Sequence, residues 1–190
     1  MIKTREDLKF YLIEDGKRNG FGNNYAQYII RLLIGNESAH AYRYIKTLRY
    51  CEYHLNNSFL IHKILYFYYK LKLARLGGKY LIKISPNTVG YGLRIIHLSG
   101  GGGVRIGALK VGNYCGFNSG VLIGTTTDET CRPIIGDHVA FAPGAKAFGK
   151  ITIGNNVFVA PNAVVTKDVP DNVIVGGIPA KILKNKELKE

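Results

Sequence analysis

Ile135-Gly136-Asp137-His138-Val139-Ala140, Ile153-Gly154-Asn155-Asn156-Val157-Phe158 and Val159-Ala160-Pro161-Asn162-Ala163-Val164 share one plan. An apolar residue is followed by a small one, then by two turn formers, then by a small or β-branched residue. Ile135, Phe141, Ala147, Ile153, Val159 and Val165 accordingly recur every six positions. An α-helix repeats near 3.6 residues and a strand at 2, so neither explains this period as a continuous element. A chain that makes a short strand, turns a corner and starts again does explain it, which is the hexapeptide parallel β-helix.

Working outward, Val111, Phe117 and Ile123 keep the spacing, while Ile84-Ser85-Pro86-Asn87-Thr88 and Val89-Gly90-Tyr91-Gly92-Leu93-Arg94 are imperfect opening hexads. Three hexads close one triangular coil, so the repeat predicts about five coils. Two segments break step. One runs from Ile96 to Arg105 and contains His97-Leu98-Ser99-Gly100-Gly101-Gly102-Gly103; the other is Gly124 to Pro133. Insertions in a solenoid leave the scaffold as loops and commonly build its binding face.

Residues 1–77 lack the period. Stretches 25–34, 41–55 and 59–76 read as helices, with Ser58 as an N-cap and Gly77-Gly78 as a C-terminal stop. The predicted organisation is a helical N-terminal part (1–78) followed by a β-helix (79–190) that ends in a polar tail from Asn185. The fold class is therefore mainly β with an α-helical N-terminal part.

Hydrophobic residues make up 46% of the 190, which excludes a disordered chain and permits a real core. Cys51, Cys115 and Cys131 form no CxxC pair and cannot all bridge, so free thiols in a reducing, cytoplasmic compartment are expected. Met1 to Asp7 is too charged for a signal peptide. His62, Lys63, Lys70, Lys72 and Arg75 break the apolar stretch Phe59 to Leu76, so it does not make a membrane span.

The net charge of +13 is uneven: residues 1–83 hold 15 Lys and Arg against 6 Asp and Glu, and residues 84–190 hold 11 against 7. Such an excess suits phosphates, nucleic acid or an acidic lipid surface; the plain alternative is a solvated basic face. Tyr66-Phe67-Tyr68-Tyr69-Lys70 adds aromatic residues to nearby bases, and Lys63 shares a helix face with Lys70. That mixture suits a peripheral membrane contact or single-stranded nucleic acid, against ordinary helix packing as the competing reading.

The end of the repeat, Val164-Val165-Thr166-Lys167-Asp168-Val169-Pro170 and then Val175-Gly176-Gly177-Ile178-Pro179-Ala180-Lys181, resembles the close of the hexapeptide acyltransferases. Residues 41–182 resemble their serine acetyltransferase branch and its relatives in polysaccharide O-acetylation. The resemblance implies a left-handed β-helix and a homotrimer, or a dimer of trimers; neither a metal nor a nucleic-acid partner is expected. It implies acetyl-CoA as co-substrate, bound between neighbouring coils. It also implies a histidine that takes the proton from an acceptor hydroxyl as that hydroxyl attacks the thioester.

On that resemblance His97, preceded by Gly92-Leu93-Arg94-Ile95-Ile96, is the base. An alcohol is a poor nucleophile until a group with a pKa near neutrality takes its proton. Ala142, Pro143, Gly144, Ala160 and Pro161 are the implied corner contacts to acetyl-CoA. Thr166, Lys167 and Lys181 lie at its nucleotide end, where ammonium groups pair with phosphates. Gly124 and Thr125 are weaker candidates near the thioester. His138 falls on a corner, and His40, His54 and His62 fall in the helical part; none has metal-ligand spacing.

The serine acetyltransferases carry Asp-Ile-His-Pro where this chain has Lys83-Ile84-Ser85-Pro86, and an acidic residue where it has Ile96. Their Arg-His-Pro reads Cys131-Arg132-Pro133 here. A serine ammonium wants a carboxylate, which Asp128 or Glu129 would have to supply. The residues therefore favour a sugar hydroxyl of a surface polysaccharide precursor, positioned by Arg132 and Asp128. Serine O-acetylation in cysteine biosynthesis is the alternative acceptor chemistry, and a non-catalytic assembly scaffold is the alternative class.

Overall fold

The structure is a computed structural model that describes residues 1–22, 24–98, 101–125, 128 and 130–186. It opens with four helices: α1 (Arg5–Arg18), α2 (Tyr25–Leu33), α3 (Glu37–Leu55) and α4 (Leu60–Tyr80). α1 was not legible as a helix, because only Leu8, Asp15 and Gly16 of it are buried. Its start is a capping box: Thr4 Oγ1 accepts from the Asp7 amide (3.0 Å) and Asp7 Oδ2 accepts from the Thr4 amide (2.8 Å).

α3 starts at Glu37, with Asn36 as its cap, earlier than the expected residue 41. α4 begins after Phe59, which makes no side-chain cap, so Ser58 does not hold the predicted role. Nor do Gly77 and Gly78 stop α4. The helix continues through both to Tyr80 and ends on Leu81 in the left-handed region (φ 56°). A Cβ on Gly77 would lie 2.7 Å from the carbonyl oxygen of Ile82, so glycine serves close packing where the chain doubles back.

The rest is the parallel β-helix that the six-residue period predicts, left-handed as the resemblance implies. Its first face stacks β1 (Ile82–Ile84), β3 (Val104–Ile106), β6 (Val121–Gly124), β9 (Lys146–Phe148) and β12 (Val164–Val165). The second stacks β4 (Lys110–Val111), β7 (Ile134–Ile135) and β10 (Thr152–Ile153), extended by bridges from Val89 to Val111 and from Ile153 to Val169. The third stacks β2 (Arg94–Ile96), β5 (Gly116–Asn118), β8 (Ala140–Phe141), β11 (Phe158–Val159) and β13 (Val173–Gly176). β14 (Lys181–Asn185) then folds back antiparallel on β13.

Ile135, Phe141, Ala147, Ile153, Val159 and Val165 all point inward, each 2% exposed or less. The corner from second to third face carries a side-chain ladder. The amides of Asn113, Asp137 and Asn155 donate to Asp137 Oδ1, Asn155 Oδ1 and Asp171 Oδ1, at 2.7, 2.8 and 2.6 Å. The next residues, Tyr114, His138, Asn156 and Asn172, adopt positive φ to turn that corner. His138 thus has a structural place, its ring stacked on Tyr114 with centroids 5.1 Å apart.

Helices and β-helix share one continuous apolar core. Their junction is ionic. Arg49 of α3 is fully buried, with Nε 2.8 Å from Asp15 Oδ2 and Nη1 3.0 Å from Glu52 Oε2. Nη1 also donates to the Val89 carbonyl at 2.8 Å, and Nη2 donates to that of Gly90. Asp15 Oδ1 accepts from the Leu93 amide, and Asn19 Nδ2 donates to the Leu93 carbonyl, both at 2.8 Å. Cys51 and Cys115 are buried free thiols, as expected; burial pushes them up to about 11 and about 12 respectively.

Replacing Arg49 by alanine strands two buried carboxylates, so urea denaturation is expected to show a loss of about 3–5 kcal/mol. A loss within experimental error would show that the junction is not ionic. A pH effect follows from His54, whose Nδ1 lies 2.8 Å from His62 Nδ1. Burial, then the neighbouring His62, holds its pKa below the ordinary histidine value of 6.5. The unfolded chain takes up a proton that the folded chain resists, so this contribution is full above pH 6.5 and declines as pH falls below it. Urea midpoints measured at neutral and mildly acidic pH are expected to fall with pH, and to fall less in His54→Gln.

Candidate active site

His97 comes directly after Ile96, the last residue of β2, where the third face gives way to the first. Ile96 pairs in register with Asn118 of β5. At φ 58° the backbone swings out of the coil at His97, and the imidazole is exposed. Among the described residues no side chain hydrogen-bonds to that imidazole, in keeping with Lys83 and Ser85 where an aspartate pattern would stand. Ser99 and Gly100 lie outside the described residues.

The same corner is built from small residues in the coils below. Ala142-Pro143-Gly144-Ala145 follows β8, and Ala160-Pro161-Asn162-Ala163 follows β11. The amides of Ala142 and Ala160 donate to the carbonyls of Val159 and Val175, at 2.9 and 2.8 Å. Gly144 donates to Ser119 (2.9 Å) and Asn162 donates to Pro143 (3.0 Å). Gly144 has φ 73°, and a Cβ there would run into the Asn162 side chain. Lys181 opens β14 opposite Gly176 at the foot of this corner. The structure therefore sets His97, Ala142, Pro143, Gly144, Ala160, Pro161 and Lys181 along one edge.

Asp128, Arg132, Thr166 and Lys167 lie on a different edge, from first to second face. The first two are in the insertion between β6 and β7, and the others follow β12. Thr126, Thr127 and Glu129 lie outside the described residues. Asp128 turns its carboxylate to its own loop and accepts from the amides of Thr130 (2.6 Å) and Cys131 (3.2 Å). The Thr130 hydroxyl and amide, with the Cys131 amide, hold that carboxyl below the usual carboxylate range. Arg132 is half-buried.

Three residues on the His97 edge were not picked out from the sequence. Asn118 lies in register beneath Ile96, and its Nδ2 donates to the Phe141 carbonyl at 2.9 Å. Ser119 follows it. Lys146 leaves the small corner with its Nζ 2.9 Å from the Gly144 carbonyl oxygen. Counting register from Phe117 and Ala147, rather than seeking motifs, would have found them. A groove of about 710 Å³ lies elsewhere, between α1, α2 and α3, lined by Leu12, Phe21, Tyr28, Tyr42 and Lys46. Among the described residues no group of three or more His, Cys, Asp or Glu could hold a metal ion.

No protein-family model matches the chain. It is 39% identical over 144 residues to the serine acetyltransferase of Staphylococcus xylosus, a match covering 71% of this chain and 65% of that one. It is 37% identical over 106 residues to the serine acetyltransferase of Synechococcus elongatus, covering 54% and 42% respectively. The chain is serine acetyltransferase-like. It spans between 42 and 65% of the length of these two relatives.

The likeness extends to solved structures. Serine acetyltransferase from Brucella abortus superposes with a TM-score of 0.71 at 22% identity, covering 97% of this chain and 72% of that one. A serine acetyltransferase in complex with cysteine gives 0.72 at 20% identity, covering 97% and 69%. At such identities these structures establish the shared fold. In this serine acetyltransferase-like chain, Gly144→Val forces a β-branched residue into positive φ against Asn162. Thermal denaturation is expected to show a loss of about 1–3 kcal/mol.

Proposed function

We propose that this chain is an O-acetyltransferase that carries the acetyl group of acetyl-CoA to the hydroxyl of a small acceptor, with His97 as general base. One observation carries the reading: His97 leaves the scaffold on the same edge as the stacked small corners Ala142-Pro143-Gly144 and Ala160-Pro161. Small side chains let a pantetheine arm approach the backbone. A ring nitrogen of His97 takes the acceptor's proton while the hydroxyl oxygen attacks the thioester carbonyl. The carbon–sulfur bond then breaks, and the CoA sulfur leaves with the proton returned by the imidazolium. Lys181 and Lys146, on the same edge, suit the CoA phosphates. Thr166 and Lys167 join them only if a second copy brings its first-to-second edge across.

That geometry supports a homotrimer in which each His97 edge faces a neighbour's edge bearing Arg132. The relatives are named serine acetyltransferases, and a solved serine acetyltransferase from Neisseria gonorrhoeae is a complex with serine. Both favour serine as acceptor over the polysaccharide sugar that the residues favour. A sugar hydroxyl stays as the second reading on a specific ground. Ile96 stands where the serine acetyltransferases carry an acidic residue, and Asp128 is engaged within its own loop.

Thiol release from acetyl-CoA, measured with serine and with a panel of sugars, tests both readings. Serine-dependent release is expected, with kcat lowered about 10²–10⁴-fold in a folded His97→Ala variant. Release with sugars alone would move the acceptor to the second reading. No release with any acceptor, or full release in His97→Ala, would overturn the catalytic role.

A further inference from the structure

α4 is apolar on two opposite faces, and the structure covers only one of them. Leu73 and Leu76 are buried, and Tyr66 and Tyr69 are half-buried. The Tyr69 ring stacks on Tyr50 of α3 with centroids 5.2 Å apart. On the opposite side Leu60, Ile64, Phe67 and Leu71 follow the helical spacing of 4, 3 and 4 residues. They are 73, 59, 63 and 47% exposed. Phe59, Ile61 and Tyr68 widen the patch and are likewise exposed. The aromatic run read in the sequence as one unit is thus divided: Tyr66 and Tyr69 pack inward, and Phe67 and Tyr68 face out.

Cations flank this stripe. On a helical wheel Lys63 and Lys70 fall to one side, and Lys72, Arg75 and Lys79 to the other. Lys70 lies 5.6 Å from the Tyr66 ring centroid, and Lys72 lies 5.7 Å from that of Tyr68. No acidic residue occurs in α4, nor anywhere between Glu52 and Asp128, a span that holds nine Lys and Arg. Charge decides the occupant. A second copy of the same face would set like charges against each other, whereas an anionic surface would neutralise both flanks. Among the described residues no helix is long and apolar enough to cross a membrane.

We propose that α4 lies flat on an anionic lipid bilayer, with Leu60, Ile64, Phe67 and Leu71 among the acyl chains and the flanking lysines at the headgroups. An interfacial helix gains from both its apolar face and its attraction to acidic lipids. The inference is independent of the acetyl-transfer reading, because the stripe lies on the helical part and includes no residue of the His97 edge.

Co-sedimentation tests it, using the full chain with phosphatidylcholine vesicles that do or do not contain about a third phosphatidylglycerol. Binding is expected to the anionic vesicles only, and to weaken as salt rises. Ile64→Glu and Phe67→Glu are each expected to lower the partition coefficient at least about tenfold. Lys63→Glu and Lys70→Glu, which leave the apolar stripe intact, are each expected to lower it about fivefold. Far-ultraviolet circular dichroism confirms that each variant is folded. Absence of binding to anionic vesicles would overturn the proposal, as would unchanged binding in the folded variants. So would a smaller assembly for Phe67→Glu by light scattering without lipid, which would make the stripe an interface between copies.

Discussion

The guanidinium of Arg49 holds the top of the β-helix in place. Each middle coil satisfies its backbone by pairing with the coils on either side. The first coil has no coil above it, and its free edge would leave polar groups without partners. α1 and α3 replace the missing coil. Arg49 covers the carbonyls of Val89 and Gly90, while Asp15 and Asn19 take the amide and the carbonyl of Leu93. Asp15 and Glu52 balance the buried charge. The other end is closed differently, by β14 folding back on β13. The helical part is therefore a cap that the solenoid needs, joined to it through one apolar core.

That cap also fixes the candidate site. Leu93 is clamped from above, and β2 starts at the next residue and ends one residue before His97. His97 is thus carried by a short, anchored strand rather than by a long loop. Below it the repeat is regular, and its third-to-first corner is lined by alanine, proline and glycine. Regularity provides the smooth edge, and the interruption places His97 beside it. The second interruption, with Asp128 and Arg132, leaves by another edge, so one chain keeps the two sets of candidate residues apart.

The β-helix was legible because a six-residue period puts one apolar side chain inside per strand, and all six decisive positions are buried. His97 was picked out on the family resemblance, and the structure places it where the period fails, at the end of β2. The junction was not. Arg49 and Asp15 are 34 positions apart, and an arginine within a helix reads as a surface charge until its partners are placed. α1 escaped notice because its inward face includes Asp15 and Gly16 rather than an apolar row. Gly77-Gly78 misled because glycine serves close packing as readily as it serves a helix end. The division of site residues between two edges follows from strand order, which no local motif encodes.

The proposed reaction requires acetyl-CoA to bind along the edge that bears His97 and the small corners. A crystal structure of the chain with CoA tests it most directly. The expected result is the CoA sulfur beside the His97 imidazole, with the pantetheine arm along Ala142-Pro143-Gly144 and Ala160-Pro161. CoA bound in the groove between α1, α2 and α3, with the His97 edge empty, would contradict it.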